Sequence, residues 1–155
     1  MRKWIAAALM IALCCAVCSA SASVFDDDGV MRLVSRDHKI TKNYVPDDMV
    51  LPDVPTNKKS QKENIYLRPF AASALEELFA AAESEQGYHL LAVSGYRSYG
   101  TQQANFNRKV EAVGSVAAAQ RKVAPAGASE HQLGLAMDIV SENFRNLNSG
   151  FLETP

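Results

Sequence analysis

Between Pro125 and Val140 the chain reads PAGASEHQLGLAMDIV, and within that stretch His131 and Asp138 stand seven positions apart with Gly134 between them. This spacing constrains the fold more than any other feature. Histidine and aspartate are both ligand types for zinc, which binds them at about 2.0 to 2.2 Å, so two ligands of one ion lie only about 3 to 4 Å apart. On a straight strand the same separation would place the two residues roughly 23 Å apart on opposite faces. On a helix it would be about 10 Å along one face. If the pair shares an ion, the backbone must reverse between them. Gly134 is the position for that reversal, because glycine takes positive φ without steric cost. After it Leu135, Met137 and Ile139 alternate with Ala136, Asp138 and Val140, the pattern of a short buried strand presenting Asp138 on one face. His131 then falls in the loop before the strand. Taken singly, a hydrogen-bonded loop histidine and a turn-capping aspartate are commoner than metal ligands, so on their own residues both readings stay open.

The first residues are set apart from the fold. Arg2 and Lys3 precede an apolar run over residues 4–17, and Ala20, Ser21 and Ala22 form a small-x-small cleavage site. A signal peptide is predicted over 1–22, followed by a single domain over 23–155 of the size usual for one domain. The apolar run is short for a membrane span and no second run follows, so no stable span is expected after cleavage. Loss of Arg2 and Lys3 leaves 14 basic against 17 acidic side chains, a net charge of −3. Nothing in that balance suggests a nucleic-acid footprint. Cys14, Cys15 and Cys18 all lie in the leader, so no disulfide or thiol chemistry is expected in the mature domain. An exported domain without disulfides fits a bacterial periplasm or cell envelope, and a monomer is expected.

Along the mature chain, residues 23–29 read as a loose acidic leader, and 31–34 and 39–45 as short extended pieces. Residues 46–64, with three prolines and few large apolar side chains, read as a long surface connection bordering a cleft. Pro69 opens the strongest helix pattern and Gly87 closes it, with Phe70, Ala74, Leu75, Leu78, Phe79 and Ala82 assigned to its buried face. A strand follows over 88–94, apolar on both faces and therefore central in a sheet. Ser94 to Gly100 is a glycine-bracketed loop at a strand end, a common site for binding groups. Arg97 in that loop offers a fixed fork of donors for a carboxylate or a developing oxyanion, against the plainer reading of a surface ion pair. A second helix is predicted over 101–113, capped by Thr101 with Ala104, Phe106, Val110 and Val113 inward, and a third over 115–122. His38 and His89 read as ordinary turn and strand histidines.

Two motifs together, SGYRSYxxQ at 94–102 and SEHQxGLAxD at 129–138, resemble the VanY-type D-alanyl-D-alanine carboxypeptidases, which are zinc peptidases. Looser likeness runs from about 30 to 142. The resemblance implies an α+β fold, a small antiparallel sheet packed with helices, of the type shared with hedgehog and the D,D-peptidases. It implies Zn2+ as cofactor, His131 and Asp138 as two of three metal ligands, and Arg97 as the catalytic group at the scissile carbonyl. Gln102 and Ser129 match positions that hold the terminal D-alanine of a peptidoglycan stem peptide. The family draws its third ligand and its catalytic glutamate from a later E-P-W-H motif, which has no match after Asp138; Glu142 and Glu153 lack its context. The expectation is thus an incomplete domain, lacking C-terminal strands, leaving a sheet edge unpaired, holding zinc weakly and impaired as a peptidase. A non-catalytic stem-binding relative and an L,D-carboxypeptidase are the alternatives.

Overall fold

The computed structural model describes residues 31–57 and 65–145, and the residues from Val34 onward form a compact unit of their own. The predicted signal peptide, the loose residues 23–29 and Glu153 lie outside the described residues.

Helix α1, Pro69–Gln86, begins with proline where its missing N–H costs nothing and ends at Gly87, which takes φ 67 and donates to the carbonyls of Ala82 and Glu83. Its buried stripe is Ala72, Leu75 and Phe79. The expected inward positions Phe70, Ala74 and Leu78 are exposed, Phe70 at 70 %. They sit on the opposite side of the helix from Ala72 and Phe79, and in so alanine-rich a segment several stripes satisfy the same period.

Strand β1, Leu90–Ser94, starts two residues later than expected and pairs antiparallel with β2, Asp138–Ser141, which also starts later, at Asp138. On its other side β1 meets residues 55–57 through a parallel bridge, with Asn57 N donating to Ala92 O and Ala92 N to Pro55 O. That flanking explains why its side chains are apolar on both faces: Leu91 and Ala92 are both buried. Among the described residues β2 has β1 as its one partner strand, and its last residue, Ser141, also bridges Phe144. Ile65, Leu67, Ala72, Leu75, Phe79 and Ala92 form the core, with Met137 and Ile139 packed against it.

Helix α2, Tyr99–Val113, is capped by Ser98 and not by Thr101: the Ser98 hydroxyl accepts from Thr101 N. Its buried side chains are Gln102 and Phe106, while Ala104 faces solvent. Gly114 ends it, and Ser115 caps a short α3, Val116–Gln120. Residues 31–34 and 39–45 form no strand. Residues 39–45 are held by partners distant in sequence: Ile40 N donates to Gly127 O, and Gln132 Nε2 donates to the carbonyls of Thr41 and Tyr44. No helix among the described residues is long and apolar enough to cross a membrane.

Candidate active site

His131 lies in a 3-10 turn, Glu130–Leu133, closed by Gly134 at φ 70 and ψ 23. Arg68 N donates to Gly134 O, and the Arg68 side chain packs so close that a Cβ on Gly134 would meet its Cγ at 3.2 Å. Here both the positive φ and the close approach call for glycine. The chain then runs back to β2, and the reversal places His131 Nε2 3.5 Å from Asp138 Oδ1. That is the separation of two ligands on one tetrahedral ion, about 3 to 4 Å.

The histidine tautomer follows from its partners. Nδ1 lies 2.7 Å from Gly95 O, and since a carbonyl only accepts, Nδ1 carries the proton and Nε2 presents its lone pair. Arg97 Nη2 donates to that lone pair at 2.7 Å and to Asp138 Oδ2 at 2.5 Å. Two donor atoms from opposite sides of the Gly134 turn thus converge on one positive charge. Burial alone would raise the Asp138 carboxyl, but contact with His131 and the Arg97 cation outweighs it and holds the group below its ordinary value of 3.8. A lone-pair nitrogen, an ionised carboxylate and a backbone carbonyl that fixes the imidazole are what zinc coordination asks of a site, so the residues fit the metal. Among the described residues no third histidine, cysteine, aspartate or glutamate joins them.

The guanidinium of Arg97 is held on its other edges too. Nε donates to Ser94 Oγ at 3.1 Å, Nη1 to Gln102 Oε1 at 3.2 Å, and the backbone N to His131 O at 3.0 Å. Gln102, 1 % exposed, donates in turn to Ala124 O at 2.7 Å, so its amide joins α2 to the 124–128 loop. Of the residues expected from sequence, Arg97, Gln102, His131 and Asp138 come together in one cluster. Ser129 is buried at the start of the His131 turn, and among the described residues its hydroxyl bonds to none of the four.

Sequence reasoning missed three contributors. Ser94 could have been found from its position three residues before Arg97; the Gly95 carbonyl had no signal. Gln132 is 1 % exposed and fastens the His131 turn to residues 41–44, and its only hint was its place beside the histidine. Tyr96 stays protonated at neutral pH, since burial and then the neighbouring Tyr44 raise its hydroxyl above 10.0. Glu142 lies beyond the far end of β2 from Asp138, its carboxylate paired with Arg145. His38 is in its turn, with Nδ1 3.1 Å from Ser35 Oγ.

Comparison with known proteins gives this geometry a lineage. The model of the VanY family, D-alanyl-D-alanine carboxypeptidase, matches residues 64–155. The chain belongs to that family. YodJ of Bacillus subtilis (strain 168), a carboxypeptidase by name, is 41 % identical over 133 residues, which is 85 % of this chain and 48 % of its own. A D-alanyl-D-alanine carboxypeptidase of Enterococcus faecalis (strain ATCC 700802 / V583) is 35 % identical over 122 residues, 74 % of this chain and 41 % of its own. This member of the VanY family thus spans about half the length of the curated relatives it matches. Among solved structures, the LdcB LD-carboxypeptidase superposes with TM-score 0.72 at 43 % identity, covering 82 % of this chain and 59 % of that one. A vancomycin-resistance D,D-pentapeptidase VanY, solved with Zn(II), superposes with TM-score 0.55 at 29 % identity, covering 78 % and 66 %. The α+β fold with its small antiparallel sheet is that of these peptidases.

Proposed function

We propose that this protein is an exported, zinc-dependent D-alanyl-D-alanine carboxypeptidase that removes the terminal D-alanine from peptidoglycan stem peptides in a bacterial envelope. The observation behind this reading is the convergence of His131 Nε2 and Asp138 Oδ2 on one cation, beside an arginine anchored by Ser94 and Gln102. His131 and Asp138 would hold the ion. Bound there, zinc would supply Lewis acidity toward the scissile carbonyl.

The protein's own groups then have distinct tasks. Gly95 O keeps the His131 lone pair on Nε2, where it would be available to the ion. With an ion held by His131 and Asp138, Arg97 Nη2 would give up its bonds to both, and its freed hydrogens would meet the carbonyl oxygen as negative charge develops there, while Ser94 and Gln102 hold the Nε and Nη1 edges. Ser129 and Gln102 serve the side of the leaving D-alanine, Gln102 acting through Arg97 because its amide is engaged at both ends. No residue is assigned as proton acceptor, because among the described residues Asp138 is the one carboxylate in the cluster.

A second reading, cleavage of the L,D bond of tetrapeptide stems, is favoured by the 43 % identity to the LdcB LD-carboxypeptidase. Incubating purified protein and excess zinc with pentapeptide and tetrapeptide stems, and assaying D-alanine, separates the readings. Release from pentapeptide supports the first. Release confined to tetrapeptide supports the second. Stem binding with no release would replace both with a non-catalytic, stem-binding protein.

A further inference from the structure

Residues 39–45 cross the loop that carries His131 and are fastened to it at two places. At the first, Ile40 N donates to Gly127 O at 2.8 Å, and the Ile40 side chain is buried. Gly127, at φ 81, lets the two backbones touch, since a Cβ there would stand 2.6 Å from Ile40 O. At the second, Gln132 Nε2 donates to Thr41 O at 2.9 Å and to Tyr44 O at 3.2 Å. Carbonyls only accept, so the amide nitrogen must face the pair and Oε1 is turned the other way. There it is buried, with no hydrogen-bond donor among the described residues. A buried acceptor left without a donor is a cost, which the two bonds from Nε2 offset.

Gln132 and His131 are neighbours in the 3-10 turn Glu130–Leu133, where successive side chains leave about 120° apart. One reaches residues 41–44, the other Gly95 O and Arg97. In so short a turn a shift of either side chain carries the other with it. We infer that Gln132 is a positioning residue: by clamping the Thr41 and Tyr44 carbonyls it fixes the turn from behind and keeps His131 Nε2 at 3.5 Å from Asp138 Oδ1, the separation that one ion needs. Residues 39–45 then support the proposed metal site without supplying a ligand to it. By reciprocity, an ion bound at His131 steadies residues 39–45. The inference rests on the zinc reading above.

The test follows hydrogen exchange at the Ile40 and Tyr44 amides of the full chain by NMR, with and without zinc, and measures zinc affinity by competition with a chelating dye. The unaltered protein is compared with Gln132→Met, which keeps the side-chain volume and removes both donors. In the unaltered protein zinc is expected to slow exchange at Ile40 and Tyr44 at least about fivefold, while the Tyr88 amide at the end of α1 is unaffected. In Gln132→Met the two amides should exchange faster without metal, zinc should no longer slow them, and zinc affinity should fall about tenfold. Phe79→Leu, a core change, should lower the unfolding temperature yet keep the zinc affinity and the slowing, which separates positioning from general stability. If the unaltered protein binds zinc with no slowing at Ile40 and Tyr44, the inference is overturned whether or not the variant folds, and the carboxypeptidase reading stands. Zinc affinity in Gln132→Met within about twofold of the unaltered protein would have the same consequence. A chain that binds no zinc would bring down the zinc reading and the inference with it.

Discussion

At the Ser94 end of the two-stranded ribbon, His131 is 14 % exposed and both its ring nitrogens are engaged, by Gly95 O and by Arg97. At the Leu90 end, His89 is 60 % exposed, and its Nδ1 lies 3.7 Å from Glu83 Oε1. The second histidine is in richer company by composition. A cleft of about 340 Å³ there is lined by His89, Asp53, Glu76, Glu83 and Glu142 over a floor that includes Phe79. Yet Glu76 is spent on Asp53 N and Glu142 on Arg145, and among the described residues no set of metal-binding side chains converges there. What distinguishes the ends is the backbone. A left-handed glycine and a carbonyl aimed at Nδ1 turn one histidine into a directed lone pair, whereas acidic neighbours leave the other a surface group.

The comparison can be broken most forcefully at the two proposed ligands. Replacing His131 or Asp138 by alanine should lower zinc affinity by at least about a hundredfold, measured by competition with a chelating dye, whereas His89→Ala should leave it within about twofold. Comparable losses from both would mean that the metal binds at the wrong end. Next in size is Gly134→Val, which combines a β-branched side chain at φ 70 with contact on Arg68. It should cost about 2 to 3 kcal/mol in denaturant unfolding and weaken zinc binding as the turn opens. Gln102→Leu follows, because it strips Arg97 Nη1 and the Ala124 carbonyl of their partner. A stability loss of about 1 to 3 kcal/mol is expected, together with a fall in kcat larger than the change in KM for D-alanine release.

The smallest effect is the pH dependence without metal. Asp138 binds a proton less readily folded than unfolded, so its contribution to stability is complete above the ordinary value of 3.8 and fades as pH falls through the lower folded value. Asp138→Asn should remove that acid-side slope from melting temperatures, and Glu142→Gln, at the other end, should not.

The parts of the fold legible in sequence were those fixed by neighbouring residues. Gly87, Gly114 and Gly134 each take a left-handed φ where a stop or reversal was expected, and the reversal at Gly134 brings His131 and Asp138 within 3.5 Å. Motif likeness then pointed to Arg97, and the structure sets it between the pair. Misreadings arose where the deciding partner is distant. Residues 39–45 read as a short extended piece, but their hydrogen bonds go to Gly127 and to the Gln132 side chain, which no local pattern reveals. Thr101 looked like a cap because it precedes the apolar stripe; Ser98, three residues earlier, captured its N–H. Phe70 was assigned inward because an aromatic residue weighs heavily in any periodic count, yet the helix packs through its smaller neighbour Ala72.

The pairing of β1 with β2 steps out of register between Ala92 and Ser94: Ala92 faces Ile139 and Ser94 faces Asp138, so Val93 is an extra residue on one strand only. Side chains alternate from face to face along a strand, so this surplus residue sets on which side the Ser94 hydroxyl emerges, and with it the anchor for Arg97. The site is therefore sensitive to how many residues β1 contains as well as to which ones they are. Deleting Val93 would leave His131, Asp138, the arginine and the glycine turn all present in the sequence while aiming Ser94 at the wrong layer.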